Sequence, residues 1–376
     1  MLFHLLFQLR DVGAFRVFRY TSFRVLAATA TALFVALFLY PWFIRRLRRE
    51  QIGEVIRADG PQGHQQKSGT PTMGGTLILF SLVGSTLLWA DLTNQYTWLV
   101  LVTTVCYGAL GFVDDYMKLK GIGKKRGLPA KLKLLLQIVI AAIIGGYLVF
   151  IQGFDCSLYA PFVPIKYNLV LPPALYFGFM ILVVIATANT VNLTDGLDGL
   201  AIVPVIIAGA VFLVLSYGAG TVLSYYEVID SVEILRKFDF AAYLRIPSIK
   251  GAGELAIFCG AMVGAGIGFL WYNTYPASIF MGDVGSLALG ASIGLLAVLT
   301  KNELLLPILG GIFVLEGVSV VTQTVSYKLT GKRIFRMAPL HHHYELKGWA
   351  EPKIIVRFWI VAIMLALIAL ASLKLR

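Results

Sequence analysis

Long apolar runs separated by short polar stretches fill the chain from one end to the other. About ten of them approach the ~20 residues that a helix needs to cross a bilayer. The pattern predicts helical spans over 26–43, 73–90, 98–113, 134–151, 173–190, 200–216, 255–272, 284–300, 304–325 and 354–373. No internal repeat and no stretch resembling a separate soluble domain breaks the series. The expectation is an all-α, polytopic membrane protein in which residues 1–376 form a single unit.

Composition agrees with that pattern. Hydrophobic residues make up 58% of the 376 positions and charged residues only 14%, with a mean hydropathy of +0.79. A soluble domain carries about 25% charged residues. There is too little polar surface here to clothe a water-soluble particle of this size. The net charge of +12 would suggest nucleic acid in a soluble protein. In a membrane protein it reads instead as lysine and arginine gathered in cytoplasmic loops, with binding of anionic substrates as a second use. Nucleic acid is therefore not an expected partner, whereas membrane lipid is. The three cysteines are too few and too scattered for a disulfide framework.

Basic residues set the expected orientation. An even number of spans puts both termini on one side. Arg45, Arg46, Arg48, Arg49, Arg57 and Lys67 lie in one set of loops, together with Lys118 to Lys133 and Lys328 to Arg357. That set holds most of the basic residues, so it is placed in the cytoplasm and the termini outside. Arg10, Arg16, Arg19 and Arg24 precede the first span and run against this placement. The run Arg45-Arg46-Leu47-Arg48-Arg49 directly after that span is the wrong flank for a cleaved signal peptide. The cytoplasmic loops near 44–72, 114–133, 189–199, 273–283 and 327–353 are then the candidate active-site loops.

Acidic residues beside membrane spans are costly and point to function by default. They fall in groups at span ends, all on the same expected side: Asp114 and Asp115; Asp195 and Asp198; Asp283. A fourth polar group, His341-His342-His343-Tyr344-Glu345, lies in the last cytoplasmic loop. Taken singly, an aspartate pair is most often a solvated corner, and Asp283 could merely cap a helix. Three consecutive histidines diverge in direction, so a tri-histidine metal site is not expected. The combination says more. The stretch Asn192-Leu193-Thr194-Asp195-Gly196-Leu197-Asp198-Gly199 concentrates carboxylates and glycines with no lysine or arginine. Such a loop can offer oxygens to Mg2+, which takes carboxylates and phosphates as hard ligands. Lys67 and the lysines from 118 to 133 bring positive charge to the same face. Carboxylates, lysines and a divalent ion are the parts of a phosphoryl-transfer site. No Gly-x4-Gly-Lys-Ser/Thr phosphate loop is present, which argues against ATP hydrolysis of that type.

These segments resemble a known family. Lys67-Ser68-Gly69-Thr70-Pro71-Thr72-Met73-Gly74-Gly75, Gly111-Phe112-Val113-Asp114-Asp115, Asn192 to Gly199, and Phe280 to Ser286 look like signatures of the polyprenyl-phosphate N-acetylhexosamine-1-phosphate transferases, in order and at span ends along the whole chain. Met337-Ala338-Pro339-Leu340-His341-His342-His343-Tyr344-Glu345-Leu346-Lys347-Gly348-Trp349 looks like the muramoyl-pentapeptide branch rather than the N-acetylglucosamine-phosphate branch. The resemblance implies an enzyme of the bacterial inner membrane, acting in cell-wall synthesis with its active site facing the cytoplasm. Undecaprenyl phosphate would attack the β-phosphate of UDP-N-acetylmuramoyl-pentapeptide, releasing UMP and forming lipid I.

Under that resemblance Asp114, Asp115, Asp283 and His341 are the expected catalytic residues. Asp283 and Asp115 are the expected Mg2+ ligands. Lys67, Lys118 and Lys133 would neutralise phosphates. Thr72, Asn189, Asn192, Asp195, Gly196, Leu197 and Asp198 would line the substrate pocket, and Phe280 would offer a face to uracil. His342 and His343 would be structural or touch the substrate peptide. A homodimer is one compatible assembly. Two rivals remain at this stage: a sister transferase taking another UDP-N-acetylhexosamine, and a secondary transporter. Transporters hold their ionisable groups near the bilayer midplane; here these groups gather at one face. The loop from Tyr217 to Lys250 carries no assignable chemistry.

Overall fold

The computed structural model describes residues 2–8, 13–50, 69–121, 127–229 and 232–375. The major helices are α2 (Thr21–Arg49), α3 (Gly75–Trp89), α4 (Gln95–Leu119), α5 (Ala130–Gly146), α6 (Pro173–Thr194), α7 (Ile202–Gly220), α9 (Leu255–Asn273), α10 (Gly282–Leu299), α12 (Gly311–Thr330) and α14 (Glu351–Lys374). Short helices α1 (Leu2–Gln8), α8 (Phe240–Leu244), α11 (Leu306–Leu309) and α13 (Leu340–Glu345) lie between them. Among the described residues, eight helical segments are long and apolar enough to cross a membrane: α2, α4, α5 with its extension to Ile151, α6, α7, α9 with its first turn, α10 and α14. Helix α3 is apolar but shorter than the usual span.

Local sequence explains several boundaries. Asn94 caps α4, its side chain accepting the Tyr96 N–H at 2.8 Å. Pro173 occupies the first turn of α6, where its missing N–H costs nothing. Gly331 ends α12 at a left-handed φ of 69°. Several buried hydroxyls, among them those of Thr104, Thr187 and Ser292, return to the carbonyl four residues back and are satisfied within their own helix.

At the centre stand α9 and α10, the most buried of the spans. Helix α10 packs against α3, α4, α6 and α7, and α9 against α2, α3 and α7. Helix α14 is peripheral: Val356, Ile360, Ile363, Met364 and Leu367 are exposed along it, as lipid-facing side chains would be. Trp42 and Trp271 are exposed near one end of the bundle and Trp98 near the other, as the aromatic belts of membrane helices are.

Two expectations need correction. The span expected over 304–325 is broken: α11 ends at Leu309, the chain turns at Gly310, and α12 starts at Gly311. Paired glycines permit the break, and a Cβ on Gly311 would collide with Leu365 of α14. The structure is also not purely helical. The outer loop expected over 217–250 contains an antiparallel hairpin, β3 (Val222–Ile229) with β4 (Val232–Asp239), in the register Val222↔Asp239. Its sequence is rich in β-branched and aromatic residues, which favour a strand. A smaller pair, β1 (Ser157–Leu158) with β2 (Leu169–Val170), lies between α5 and α6.

Candidate active site

The signature after Lys67 folds because it pairs with a second signature. Phe280 N–H donates to Pro71 O, Gly74 N–H to Phe280 O, and Gly75 N–H to Met281 O, each at 2.8 Å. Tyr40 of α2, fully buried, donates its hydroxyl to Gly74 O at 2.8 Å. These bonds set the start of α3 beside the start of α10. Glycines then bring α4 in: a Cβ on Gly111 would overlap the Asp283 carbonyl. The turn before Asp283 needs Gly282, whose φ is +73°. On that residue a Cβ would press on Asp115 Oδ2 and Thr72 Oγ1, which places Thr72 beside Asp115.

The result is a charged cluster at one end of an apolar bundle. Lys118 Nζ lies 3.0 Å from Asp114 Oδ2, 3.4 Å from Asp115 Oδ1 and 2.8 Å from Asp283 Oδ2. Lys133 of α5 reaches Asp114 Oδ2 at 3.0 Å and also Asp283 Oδ2. Asp114 and Asp115 are almost fully buried. The adjacent pair share Lys118 but differ in their other partners. Asp114 Oδ1 accepts the Leu128 N–H at 2.7 Å, whereas Asp115 Oδ2 accepts the Val284 N–H at 3.2 Å. Among the described residues, three carboxylates face two ammonium groups there.

The remaining expected residues divide. Asn192 accepts a hydrogen bond from Ser286 Oγ at 3.2 Å, and that hydroxyl also reaches Gly282 O at 3.0 Å. The end of α6 is thereby tied to the Asp283 turn. Asn189 is one turn further in, its amide paired with buried Gln137 at 2.6 Å. Asp195 follows the last turn of α6. Gly196 faces the imidazole of His341. Leu197 and Asp198 point inward: Leu197 packs with Leu200, Ile354 and Ile355. Asp198 Oδ2 accepts the Ala277 N–H at 2.9 Å, bracing the loop before Phe280. Phe280 itself is half-buried beside the cluster.

The three histidines have three surroundings. His341 is fully buried against Glu316 of α12. The Nδ1 atom of His342 lies 2.6 Å from Glu345 Oε2. His343 accepts the Arg336 N–H on Nδ1 at 3.0 Å. Lys67 lies outside the described residues.

Sequence reasoning missed Glu316, Gln137 and Ser286. For Glu316 a signal existed: it is an acid inside an apolar run, where ionisable residues are functional candidates by default. Among the described residues, no three acidic, histidine or cysteine side chains form a ready-made metal cage. Mg2+ does not require one, since it binds through one or two carboxylates plus substrate phosphates and keeps several waters. The donor set of Asp115 and Asp283 fits that habit.

Comparison with known proteins gives a consistent result. The profile of Glycosyl transferase family 4 matches residues 97–301. That of Phospho-N-acetylmuramoyl-pentapeptide-transferase signature 1 matches residues 67–79. A protein of Sorangium cellulosum named phospho-N-acetylmuramoyl-pentapeptide-transferase is 54% identical, over 96% of this chain and 95% of its own. Proteins of the same name from Pelobacter propionicus and Syntrophus aciditrophicus are 53% and 52% identical over the full length of both chains. The chain belongs to the phospho-N-acetylmuramoyl-pentapeptide transferase family, within glycosyl transferase family 4.

Proposed function

We infer that this chain is a transferase of peptidoglycan synthesis, moving phospho-N-acetylmuramoyl-pentapeptide from its UDP carrier to undecaprenyl phosphate and giving lipid I and UMP. One observation in the structure carries the reading: Asp114, Asp115, Asp283, Lys118 and Lys133 converge at one end of an apolar bundle. A lipid phosphate arriving from the bilayer and a nucleotide arriving from water can meet only at such an end. The basic loops favour the cytoplasm for that end. On this topology α3 and the broken α11–α12 segment also cross, completing about ten spans with both termini outside, in the inner membrane of a bacterium.

Asp283 and Asp115 are the proposed Mg2+ ligands. Bound there, the ion would neutralise the pyrophosphate and polarise its phosphoryl oxygens. Lys118 and Lys133 are held between carboxylates and can turn to phosphate oxygens when substrate enters, acting as point charges. Asp114, held by Leu128 N–H and Lys133, positions the acceptor phosphate or takes its proton. The acceptor is already an anion, so it needs alignment and charge neutralisation more than activation. Direct attack on the β-phosphate follows, with UMP as leaving group. Phe280 offers a face to uracil, and Thr72, Asn192 and the Asp195–Gly196 turn are the proposed substrate contacts around it.

The test is to incubate the purified enzyme with Mg2+ and the nucleotide substrate alone, and then with undecaprenyl phosphate added. UMP released only after lipid addition supports direct attack. Stoichiometric UMP release without lipid, with phosphosugar left on the protein, would overturn it. Turnover undiminished after exhaustive chelation would remove Mg2+ from the account.

A further inference from the structure

A buried glutamate–histidine contact joins α12 to α13, and the catalytic reading does not use it. Glu316 sits in the second turn of α12 with no exposed surface. Its Oε2 accepts the Leu340 N–H at 2.6 Å and its Oε1 the His341 N–H at 3.2 Å. The same Oε1 is 3.2 Å from His341 Nδ1. His341 is equally buried, and neither ring nitrogen makes a hydrogen bond among the described residues. Its Nε2 is directed at Gly196, where any side chain would strike it.

A buried imidazole whose Nδ1 only approaches a carboxylate and whose Nε2 has no partner among the described residues is expensive to keep unless a ligand completes it. One nitrogen faces an anion that two backbone N–H groups already hold in place. The other faces the turn where α6 ends, beside Asp195. The neighbouring acid is not available to His341, because Glu345 is occupied by His342 at 2.6 Å.

We propose that Glu316 is a positioning residue for this transferase, orienting His341 through Nδ1 so that Nε2 is presented to the phosphate-bearing substrate at the Asp195–Gly196 turn. The inference rests on His341 belonging to the active site. An anion beside Nδ1 favours the proton there and fixes which nitrogen meets the ligand. With the proton on Nδ1, Nε2 is an acceptor, so the partner it lacks is a donor that the bound substrate can supply, a hydroxyl or a protonated phosphate oxygen. Glycine at position 196 is then required by the space the ring and the substrate share.

A helix-capping role alone makes a different prediction: a glutamine at 316 keeps an acceptor for only one of the two backbone N–H groups, and the loss from that source would persist undiminished when His341 is also replaced. The experiment measures kcat/KM for the nucleotide substrate in full-length E316Q, E316D, H341N and the E316Q/H341N double variant, with thermal unfolding followed in parallel. We expect E316Q to lose about tenfold to a hundredfold, typical of removing the partner that orients a histidine. E316D should recover most of that loss. E316Q should cost under about twofold in the H341N background, because coupled residues are not additive. Wild-type activity in E316Q, or a loss that multiplies in the double variant, would overturn the proposal. Full activity in H341N would overturn it too, while leaving the aspartate cluster untouched. Should E316Q fail to fold, the 15N shifts of the His341 ring in the wild type decide: a proton on Nδ1 is expected, and a proton on Nε2 overturns the proposal.

Discussion

Lys118 and Asp283 meet at 2.8 Å across 165 positions of sequence. Their contact joins the end of α4 to the start of α10, and Lys133 brings α5 to the same carboxylate. Asp283 is thus the point where three helices exchange charge. Asp283→Asn should leave the helices in place, because the glycine contacts beneath it are unchanged. It should abolish turnover, because it removes both a hard metal ligand and the shared partner of two lysines. Measurable lipid I formation at ordinary Mg2+ concentrations by a folded Asp283→Asn variant would refute the assignment.

Gly111 controls how closely α4 approaches α10. A Cβ there overlaps the Asp283 carbonyl. Gly111→Val should force the helices apart, costing about 1–3 kcal/mol of stability as overpacked sites do. Activity should fall further than stability, since the displaced atoms include the Asp283 backbone. A variant with unaltered thermal midpoint and turnover would show that the helices do not pack this closely.

Phe280 is held at both backbone faces by Pro71 and Gly74, which leaves its ring to serve another purpose. Stacking a base on such a ring is worth about 1–3 kcal/mol. Phe280→Ala should therefore raise the KM for the UDP substrate by roughly fivefold to a hundredfold and leave lipid affinity little changed. An unaltered nucleotide KM would count against a uracil-facing role.

At the far end of α10 a different buried cluster sets a pH dependence. Glu303 accepts the Tyr176 hydroxyl at 2.5 Å, and Lys301 reaches the same oxygen of Tyr176 at 3.0 Å. Burial pushes the Glu303 carboxyl up from its ordinary 4.5 to about 7, against the pull of Lys301 and of the tyrosine hydrogen bond. The folded protein therefore binds this proton more tightly than the unfolded chain does. Stability from this group is fully present below pH 4.5, falls as pH rises towards 7, and levels off above it. Lys301, its ammonium depressed by burial, contributes the opposite slope on the alkaline side. The thermal midpoint in detergent should fall between about pH 5 and pH 8, and Glu303→Gln should flatten that fall. An identical slope in wild type and variant would contradict the shift.

Much of this was legible in the linear sequence, for physical reasons. Runs such as 134–151 and 354–373 are so apolar that burial in lipid is their obvious fate, and both are helices. Asp114, Asp115 and Asp283 stood out because each ends or opens such a run. What stayed hidden depends on partners distant in the chain. The break at Gly310 looks like any glycine in an apolar stretch until Leu365 of α14 is seen against Gly311. The hairpin from Val222 was obscured by its mixed charge, although its strand-forming residues were in plain view. Asp198 reads as a pocket carboxylate in its motif, and that its Oδ2 also holds the Ala277 N–H is visible only in the fold. Glu316 was overlooked because one acid in a long run carries no motif.

The most direct measurement of the whole account is product formation by the purified chain in detergent with undecaprenyl phosphate and Mg2+, offered two donors in separate reactions. UDP-N-acetylmuramoyl-pentapeptide should give lipid I and equimolar UMP, and UDP-N-acetylglucosamine should give no lipid-linked product. Transfer from UDP-N-acetylglucosamine in preference to the pentapeptide donor, or no lipid-linked product from either by a folded protein, would contradict it.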